Sequence, residues 1–357
     1  MRPLSAELPE RLQTLLEREV AARGFPGANA EVWEGGAPIW RGAAGFRDAE
    51  RREPITPGSV FPIYSITKTF TAVACLRLAE QGRFALDDAV ARWLPGLPFA
   101  ERVSVRQLLG HTAGVPNYSA LPEYHEAVAR HPAEPWSFDG FVARTCDRPL
   151  DFEPGRGWSY SNTGYTLLKR ILELETGDSF AGVIDREVAR PAGLRQTSSL
   201  ASLAALEAVV PGYSAMFTEG MQGPPRDVRG VYHPGWCGTG VFASTTTDVC
   251  RLFDELLGDG VGLLGPASLD AMLTLTSVPG HHPPAVRPSY GLGIMGDPES
   301  PSGVEHGHGG GGPGWNLRAI HLRRAAAPSL TVAVFCNHDD DLADPIARTL
   351  VHACAET

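Results

Sequence analysis

The sequence predicts an α/β (α+β) fold of two lobes, in which helices flank an antiparallel sheet and an all-helical lobe is inserted into the chain. Strand patterns cluster near the two ends of the chain, over residues 28–33, 38–45, 291–295, 317–322 and 330–337. From residue 84 to about residue 193, helical pieces alternate with loops rich in proline and glycine. We therefore expect the early and late strands to share one sheet. Short connections between the late strands favour antiparallel pairing.

The length of the chain predicts more than one structural unit. At 357 residues it exceeds the roughly 250–300 residues at which a single core stops growing. We predict a discontinuous α/β sheet domain, residues 1–80 and 194–357, and a mostly helical domain, residues 81–193. The functional site is expected at the interface between them.

The elements at the two ends of the chain are predicted from local patterns. Residues 1–22 carry glutamates among spaced leucines, which is typical of an amphipathic helix and unlike the continuous apolar region of a signal peptide. A Gly35–Gly36 turn separates the first two strands. A stretch rich in proline leads to a helix over about residues 65–80, ended by Gly82. The last helix is expected over residues 344–356.

Composition excludes two classes of partner. A net charge of -10 argues against a nucleic-acid partner, because phosphate binding requires a basic face. No run of 18 or more apolar residues occurs, so no membrane association is expected. Without a signal-peptide pattern, we expect a cytoplasmic location, unless a leader has been removed from the chain.

The cysteines show no paired spacing. A disulfide framework is the alternative, but their scatter favours free thiols of a reducing compartment. They are Cys75, Cys146, Cys237, Cys250, Cys336 and Cys354.

Lysine is nearly absent from this chain. The sequence has 29 arginines and only two lysines, Lys68 and Lys169. Where arginine can serve as a surface cation, the chain uses arginine, so a remaining lysine is a candidate for accepting a proton, which arginine cannot do. Lys169 lies in a helical pattern with Glu173 one turn later, as expected of a surface lysine.

Lys68 belongs instead to the segment Ser65-Ile66-Thr67-Lys68. On a helix, side chains at i and i+3 share a face, so the Lys68 amine can reach the Ser65 hydroxyl. Serine is a weak nucleophile until a base takes its proton, and a partly desolvated lysine can act as that base. A serine at a helix start also places backbone N–H groups near a developing oxyanion.

A second segment, residues 154–162, ends in Tyr160-Ser161-Asn162. In an extended loop, residues two apart point the same way, so Tyr160 and Asn162 would face one cleft. A tyrosine beside a lysine ammonium can act as a general base. The same residues also fit the start of a helix with Ser161 or Asn162 as its N-cap, and both interpretations can hold together.

A third segment, residues 307–314, contains His308 followed by Gly309, Gly310, Gly311 and Gly312, just before a strand pattern. Glycines at this density permit close approach of the backbone to a ligand and supply N–H donors for an oxyanion. The alternative is a flexible turn between strands.

Together and in this order, the three segments resemble those of the serine β-lactamase and penicillin-binding-protein superfamily, in particular its class C-like branch. Members of that branch carry S-x-x-K, then Y-S-N or Y-A-N, then K-T-G or H-x-G. Residues 105–114 are similar to the branch's LLxHTSG segment, and residues 240–245 to its GG-hydrophobic-x-ST segment. The resemblance extends over about residues 12–337.

The resemblance implies a β-lactamase/transpeptidase-like fold and a hydrolase with an acyl-enzyme on Ser65. Lys68 would be the proton partner of Ser65, and Tyr160 the general base and later the acid for the leaving group. Asn162 would hydrogen-bond the acyl amide. It implies no cofactor and no metal, and a small-molecule or short-peptide substrate; the oligomeric state stays open.

The resemblance also assigns the third segment to substrate and oxyanion binding. The residues concerned are His308, Gly309, Gly310 and Gly311, with the N–H groups of Ser65 and Gly311 forming the oxyanion hole. His111 and the turn after it are interpreted as structural, because a loop at a helix end usually sets packing.

Position 308 departs from the lactamase pattern, in which a lysine supplies a permanent cation for the substrate carboxylate. A histidine with its ordinary pKa of ~6.5 is mostly neutral at pH 7. We therefore expect D-amino-acid peptides or amides, or small esters, rather than efficient β-lactam hydrolysis. A class C-like β-lactamase or a DD-carboxypeptidase is the alternative, with Arg318 as a possible cation. The alternative from another class is a non-catalytic acyl-binding sensor.

Three other kinds of site do not fit the sequence. His308-Gly309-Gly310-Gly311 also spells an oxyanion motif of α/β-hydrolases, but no serine is flanked as in their G-x-S-x-G elbow. His125 and His131 are six residues apart, whereas zinc-peptidase ligands on one helix face are four apart. No Gly-Lys-Ser/Thr follows the glycine run, which excludes a phosphate-binding loop.

Overall fold

The computed structural model describes residues 7–218, 223–258, 262–280 and 282–355. The helices are α1 Leu8–Arg23, α2 Thr67–Glu80, α3 Val105–Leu109, α4 Pro122–Arg130, α5 Phe138–Thr145, α6 Asn162–Thr176, α7 Phe180–Ile184, α8 Thr246–Leu257, α9 Pro266–Leu273 and α10 Ala343–Ala355. The strands are β1 Gly27–Glu34, β2 Ala37–Gly45, β3 Phe61–Pro62, β4 Ser198–Ser199, β5 Tyr213–Ser214, β6 Arg226–Asp227, β7 Phe242–Ser244, β8 Thr276–Ser277, β9 Ser289–Tyr290, β10 Met295–Asp297, β11 Val304–Gly312, β12 Trp315–Arg323 and β13 Leu330–Cys336.

An antiparallel sheet of eight strands organises the fold, in the order β2-β1-β13-β12-β11-β10-β9-β8. β1 pairs with β13, with Ala28 opposite Cys336, so strands from the two ends of the chain are neighbours in this sheet. β13 pairs in turn with β12, and β12 with β11, again antiparallel. The predicted fold class, with its antiparallel sheet built from early and late strands, is confirmed.

Helices cover both faces of the sheet. Side chains alternate along β13, so Val332 and Val334 join the core under α1 and α10, while Ala333 and Phe335 join the core on the other face, where α8 packs. All four residues are fully buried. A strand buried on both faces is expected to be apolar at every position, and β13 reads Leu-Thr-Val-Ala-Val-Phe-Cys.

The stretch from residue 81 to residue 193 is helical, as its sequence predicts. It contains α3 to α7, short 3₁₀ turns and a single isolated β-bridge, between Ala89 and Ser104. α6 and α7 pack against α2. Eleven of the 14 residues of α2 are buried, so this helix lies in the core and holds the residues at its start in fixed positions.

The glycine-rich segment is a strand, which the sequence did not predict. Residues 304–312 pair along their whole length with β12, from Val304 opposite Arg323 to Gly312 opposite Trp315. Glycine is disfavoured in strands because it has no side chain to pack. Here that absence is required, since a Cβ at Gly310 would lie 2.5 Å from the Ile63 carbonyl oxygen. Close packing of β11 on the turn before α2 therefore overrides local propensity.

Residues 291–295, predicted as one strand, are mostly a turn between β9 and β10. The Gly291 N–H donates to the Ile294 carbonyl at 2.8 Å, and Gly293 has a φ of 72°, which belongs to the left-handed region. Glycine adopts this conformation without steric cost. The prediction of a single strand was wrong here.

All six cysteines are free thiols, as predicted, and only Cys237 among them is half-buried rather than buried. No helix among the described residues is long and apolar enough to span a membrane.

Three histidines of the sheet are buried in neutral form. His306 and His321 lie opposite each other on β11 and β12, and His308 is two residues further along β11. Burial lowers the pKa of His306 to about 4 and that of His308 and His321 to about 3. Nearby cations, including Arg323 beside His306 and Lys68 near His308, act in the same direction.

These histidines predict acid sensitivity of the fold. Between pH 6.5 and pH 4, the unfolded chain binds a proton at each imidazole that the folded chain does not, so the free energy of unfolding falls as the pH is lowered. His321→Gln should reduce the loss between pH 7 and pH 5 by about 1–2 kcal/mol, as measured by urea unfolding at each pH. The same exchange at exposed His131 should leave the pH dependence unchanged. An identical loss in the wild type and in His321→Gln would contradict this account.

Candidate active site

Ser65 lies in a 3₁₀ turn, Tyr64–Ile66, that leads directly into α2. Its side chain is half-buried, whereas its neighbours Tyr64 and Ile66 are buried. Tyr64 has a φ of 40°, an unfavourable value for a bulky residue that the surroundings must maintain. Its hydroxyl donates to the Pro313 carbonyl at 2.9 Å, just beyond β11. The turn bearing Ser65 is thus fixed by the strand beside it.

Lys68 contacts Ser65, as the i, i+3 spacing predicts. Its Nζ lies 3.0 Å from Ser65 Oγ and 2.8 Å from Asn162 Oδ1. The side chain is only 1% exposed. An amine held at this distance from a hydroxyl, away from bulk water, is placed to exchange a proton with it.

Asn162 is the first residue of α6 and is held by three hydrogen bonds. In addition to accepting from Lys68, its Nδ2 donates to Ser119 Oγ at 3.1 Å and its backbone N–H donates to Asn117 Oδ1 at 3.1 Å. The preceding Ser161 is the N-cap, because its Oγ accepts from the Gly164 N–H at 3.1 Å. The interpretation as a helix cap therefore holds alongside the placement of Asn162 beside Lys68.

The aromatic ring of Tyr160 also lies close to the Lys68 amine. Lys68 Nζ is 4.8 Å from the centre of the Tyr160 ring and 5.4 Å from that of Tyr165. Among the residues that the structure describes, none accepts from or donates to the Tyr160 hydroxyl. Its half-buried side chain borders an open cleft, so this hydroxyl is available to a ligand.

One edge of β11 closes the cleft. β10 pairs with β11 only as far as Gly307, opposite Met295, so within the described residues the following part of β11 has no strand on that side. Gly309, Gly310 and Gly311 line the cleft. β11 packs closely on the turn containing Ser65, since a Cβ at Gly310 would lie 2.5 Å from the Ile63 carbonyl oxygen.

His308 does not face the cleft directly. It is completely buried, its Nδ1 lies 2.6 Å from the Gly309 carbonyl oxygen and its Nε2 lies 3.0 Å from the Tyr290 hydroxyl. Because a carbonyl only accepts, Nδ1 carries the hydrogen and Tyr290 donates to Nε2. Burial, with Lys68 nearby, lowers the pKa of His308 to about 3. The imidazole is neutral and its two nitrogens are engaged, so it supplies no cation for a ligand.

His111 contacts the second segment, a role that its sequence did not reveal. Its Nδ1 accepts from the Ser161 backbone N–H at 3.1 Å, and its ring centre lies 4.4 Å from that of Tyr160. Burial above all, and then the charge of Lys68, keep the pKa of His111 well below its ordinary value. A neutral ring that accepts at Nδ1 is required for this contact.

Arg318, which the sequence suggests as a cation for the ligand, forms ion pairs within the protein. Its Nη2 donates to Glu305 Oε1 at 2.7 Å, and its Nε lies 2.9 Å from Asp344 Oδ1 without the angle of a hydrogen bond. Its side chain is 13% exposed. Two carboxylates therefore neutralise the charge of the guanidinium, and its Nη1 donates to Met295 Sδ at 3.5 Å.

The structure thus brings Ser65, Lys68 and Asn162 into one hydrogen-bonded group, with the Tyr160 ring and the glycines of β11 around it. Sequence reasoning gave His111 only a general structural role and missed three other residues that hold this group in place, Tyr64, Asn117 and Ser119. A left-handed φ at a tyrosine leaves no trace in sequence. Asn117-x-Ser119 is recognisable as a turn pattern but carries no indication of a partner 45 residues away.

The contact between His111 and Ser161 generates a test. His111→Ala leaves the buried Ser161 N–H without an acceptor and should lower the rate at which an activated ester acylates Ser65 by about 10–100-fold, mainly in kcat. His111→Asn should restore much of this rate, because asparagine offers an acceptor and tolerates the φ of 59° at this position. Circular dichroism would verify that both variants fold. Equal acylation rates in His111→Ala and His111→Asn would show that a hydrogen-bond acceptor at position 111 does not contribute to the rate.

Comparisons with known proteins identify the family of this chain. A family model described as Beta-lactamase matches residues 12–356. Penicillin-binding protein 4* of Bacillus subtilis (strain 168) is 29% identical over 323 residues, covering 87% of this chain and 68% of that protein. Esterase EstB of Burkholderia gladioli is 33% identical over 205 residues, covering 54% of this chain and 51% of that protein.

Solved structures share the whole fold. The crystal structure of a D-stereospecific amidohydrolase from Streptomyces sp. is 30% identical, with a TM-score of 0.77, and the match covers 93% of this chain and 94% of that chain. The chain therefore spans about two thirds and one half of the two curated relatives, but nearly all of this structure. Since the family match extends over nearly the entire sequence, this chain belongs to the beta-lactamase family.

Proposed function

We propose that this protein is a serine hydrolase that cleaves an amide or ester bond through an acyl-enzyme on Ser65. The observation that carries the proposal is the 3.0 Å contact between Ser65 Oγ and Lys68 Nζ. Asn162 orients the same amine from the other side, at 2.8 Å. The match to a family that includes an esterase and a D-stereospecific amidohydrolase supports this reaction class.

The reaction proceeds in two steps. In the first, Lys68 takes the Ser65 proton as Oγ forms a bond to the substrate carbonyl carbon, and the carbonyl oxygen receives hydrogen bonds from the N–H groups of Ser65 and Gly311. The bond from that carbon to the leaving nitrogen or oxygen breaks, and the leaving atom receives a proton through Tyr160. In the second step, Tyr160 passes a proton to Lys68 and takes one from water as the water oxygen bonds to the acyl carbon. The bond from that carbon to Ser65 Oγ breaks, and Oγ receives its hydrogen from Lys68.

D-amino-acid amides or peptides and small esters are the favoured substrates. The neutral, buried His308 and the ion-paired Arg318 offer no permanent cation for a substrate carboxylate. The Streptomyces structure matched here is that of a D-stereospecific amidohydrolase. A class C-like β-lactamase or a DD-carboxypeptidase, each of which acts on a substrate with a carboxylate, is correspondingly less well supported. So is a non-catalytic sensor, because Ser65 and Lys68 are in contact and the Tyr160 ring centre lies 4.8 Å from Lys68 Nζ.

A substrate panel tests this assignment. The wild type should hydrolyse a short p-nitrophenyl ester and a D-amino-acid amide. Nitrocefin and a D-Ala-D-Ala peptide should be turned over roughly 10–100-fold less efficiently, because the site offers no free cation to their carboxylates. Ser65→Ala should lower all of these rates by at least about 10³-fold. Preferential turnover of nitrocefin would favour a β-lactamase, and a stable stoichiometric adduct without turnover would favour a sensor.

The role of Lys68 can be tested against the second lysine of the chain. Lys68→Arg keeps the positive charge but removes the ability to accept a proton, so acylation of Ser65 should slow by about 10²–10⁴-fold. The rate is measured by intact mass after mixing with a p-nitrophenyl ester. Lys169→Arg, the same exchange on the outer part of α6, should acylate at the wild-type rate. Wild-type acylation in Lys68→Arg would show that the amine only holds geometry.

A further inference from the structure

A cavity of about 570 Å³ extends from the cleft along the outer end of the sheet. Tyr160 and Gly309–Gly311 line the end nearest Ser65, and Pro283, Pro284 and Pro288 line one wall. Lys68, Asn162 and Ser119 do not line it. The cavity thus opens on the Tyr160 side of the nucleophile, away from the amide of Asn162.

The position of Tyr160 defines which part of a substrate the cavity receives. A group that protonates the leaving atom must lie at that atom. Since Tyr160 borders the cavity, the leaving group extends into it, while the acyl group extends toward Asn162. This step rests on the proposed function, in which Tyr160 delivers the proton.

Charged residues of β11, β12 and α10 line one end of the cavity, beside Gly309, in a self-neutralising arrangement. Besides its pairing with Arg318, Glu305 accepts from Arg348 Nη1 at 3.0 Å and Nη2 at 3.2 Å. Asp344 accepts from Arg348 Nε at 2.9 Å. Glu305 is 3% exposed, so this pairing is shielded from solvent. Two guanidinium groups and two carboxylates cancel, and each cation already has both anions as neighbours.

A further carboxylate at this end is uncommitted. Asp341 lines the cavity and is exposed. Within the part of the chain that the structure describes, it has neither an ion pair nor a hydrogen bond. An anionic ligand entering here would lose its hydration without gaining a free cation and would approach this carboxylate. A neutral ligand has no charge to desolvate, and a cationic ligand can pair with Asp341.

We propose that this cavity is the leaving-group subsite and that its paired arginines select neutral or cationic leaving groups against those that carry a carboxylate. Glu305 and Asp344 are the specificity determinants, because they occupy the two guanidinium groups that would otherwise bind the anion. The substrates that fit are esters of neutral alcohols, primary amides, and amides whose leaving amine has no carboxylate.

Esters that share one acyl group test the proposal. We would compare p-nitrophenyl butyrate with derivatives that bear a carboxylate or a trimethylammonium group on the nitrophenyl ring, each corrected for its rate of alkaline hydrolysis. The wild type should process the carboxylate ester with a kcat/KM roughly 10–100-fold below that of the neutral ester, and the cationic ester at least as well as the neutral one.

Asp344→Asn supplies the decisive variant. It keeps the shape of the side chain but leaves the two arginines with one carboxylate, so the ratio of kcat/KM for the carboxylate ester to that for the neutral ester should rise about tenfold. The matched control is Asp340→Asn, which removes the same charge from an exposed side chain outside the cavity and should change none of the three rates. Thermal unfolding verifies that each variant is folded.

The outcomes separate this inference from the proposed function. Equal rates for the three esters in the wild type, or an unchanged ratio in folded Asp344→Asn, would overturn the subsite assignment while leaving the hydrolase intact. Acylation of Ser65, followed by intact mass, provides the same comparison where turnover is slow. If no ester acylates Ser65 or is hydrolysed, the proposed function fails and the subsite assignment fails with it.

Discussion

The site depends on one contact, that between an amine and a hydroxyl one helical turn apart at the start of a buried helix. Lys68 and Ser65 share a face of the chain at the beginning of α2, and α2 is surrounded by protein along most of its length. Burial of Lys68 restricts its rotamers and excludes competing water from the amine, so the 3.0 Å separation is maintained without a ligand. Asn162 and the ring of Tyr160 then restrict the amine from two further directions.

The glycine strand is the second requirement. β11 packs against the turn that contains Ser65. This close packing requires a glycine at position 310, because a Cβ there would clash with the Ile63 carbonyl oxygen. The strand therefore gives up side-chain packing in order to bring its backbone close to the nucleophile. Tyr64 contributes from the other side, with a left-handed backbone and a hydroxyl that donates to Pro313. The strained backbone of Tyr64 and the lack of side chains on β11 both result from the close packing of β11 on the turn that contains Ser65.

Much of this was accessible from sequence, for identifiable reasons. Periodic patterns locate the strands at the two ends of the chain, and i, i+3 spacing places Lys68 beside Ser65, because both follow from local geometry. The strand character of residues 304–312 could not be predicted from propensity, because it comes from pairing with β12, and the glycines are required by the close approach of Ile63 to Gly310. The burial of His308 and the pairing of Arg318 are likewise tertiary facts. A residue type identifies a possible cation, but only the surrounding carboxylates and the depth of burial decide its charge and availability.

The scarcity of lysine has a practical consequence once burial is known. Of the two ε-amines in the chain, that of Lys68 is sealed in the core at 1% exposure, and that of Lys169 lies at the outer part of α6, with its Nζ 5.8 Å from the centre of the Phe180 ring. Reagents that modify primary amines under native conditions, such as activated dyes or surface-coupling esters, should therefore reach the half-buried Lys169 in preference to the enclosed Lys68. A fluorophore or a solid support can be installed there in defined stoichiometry while the nucleophile keeps its proton partner.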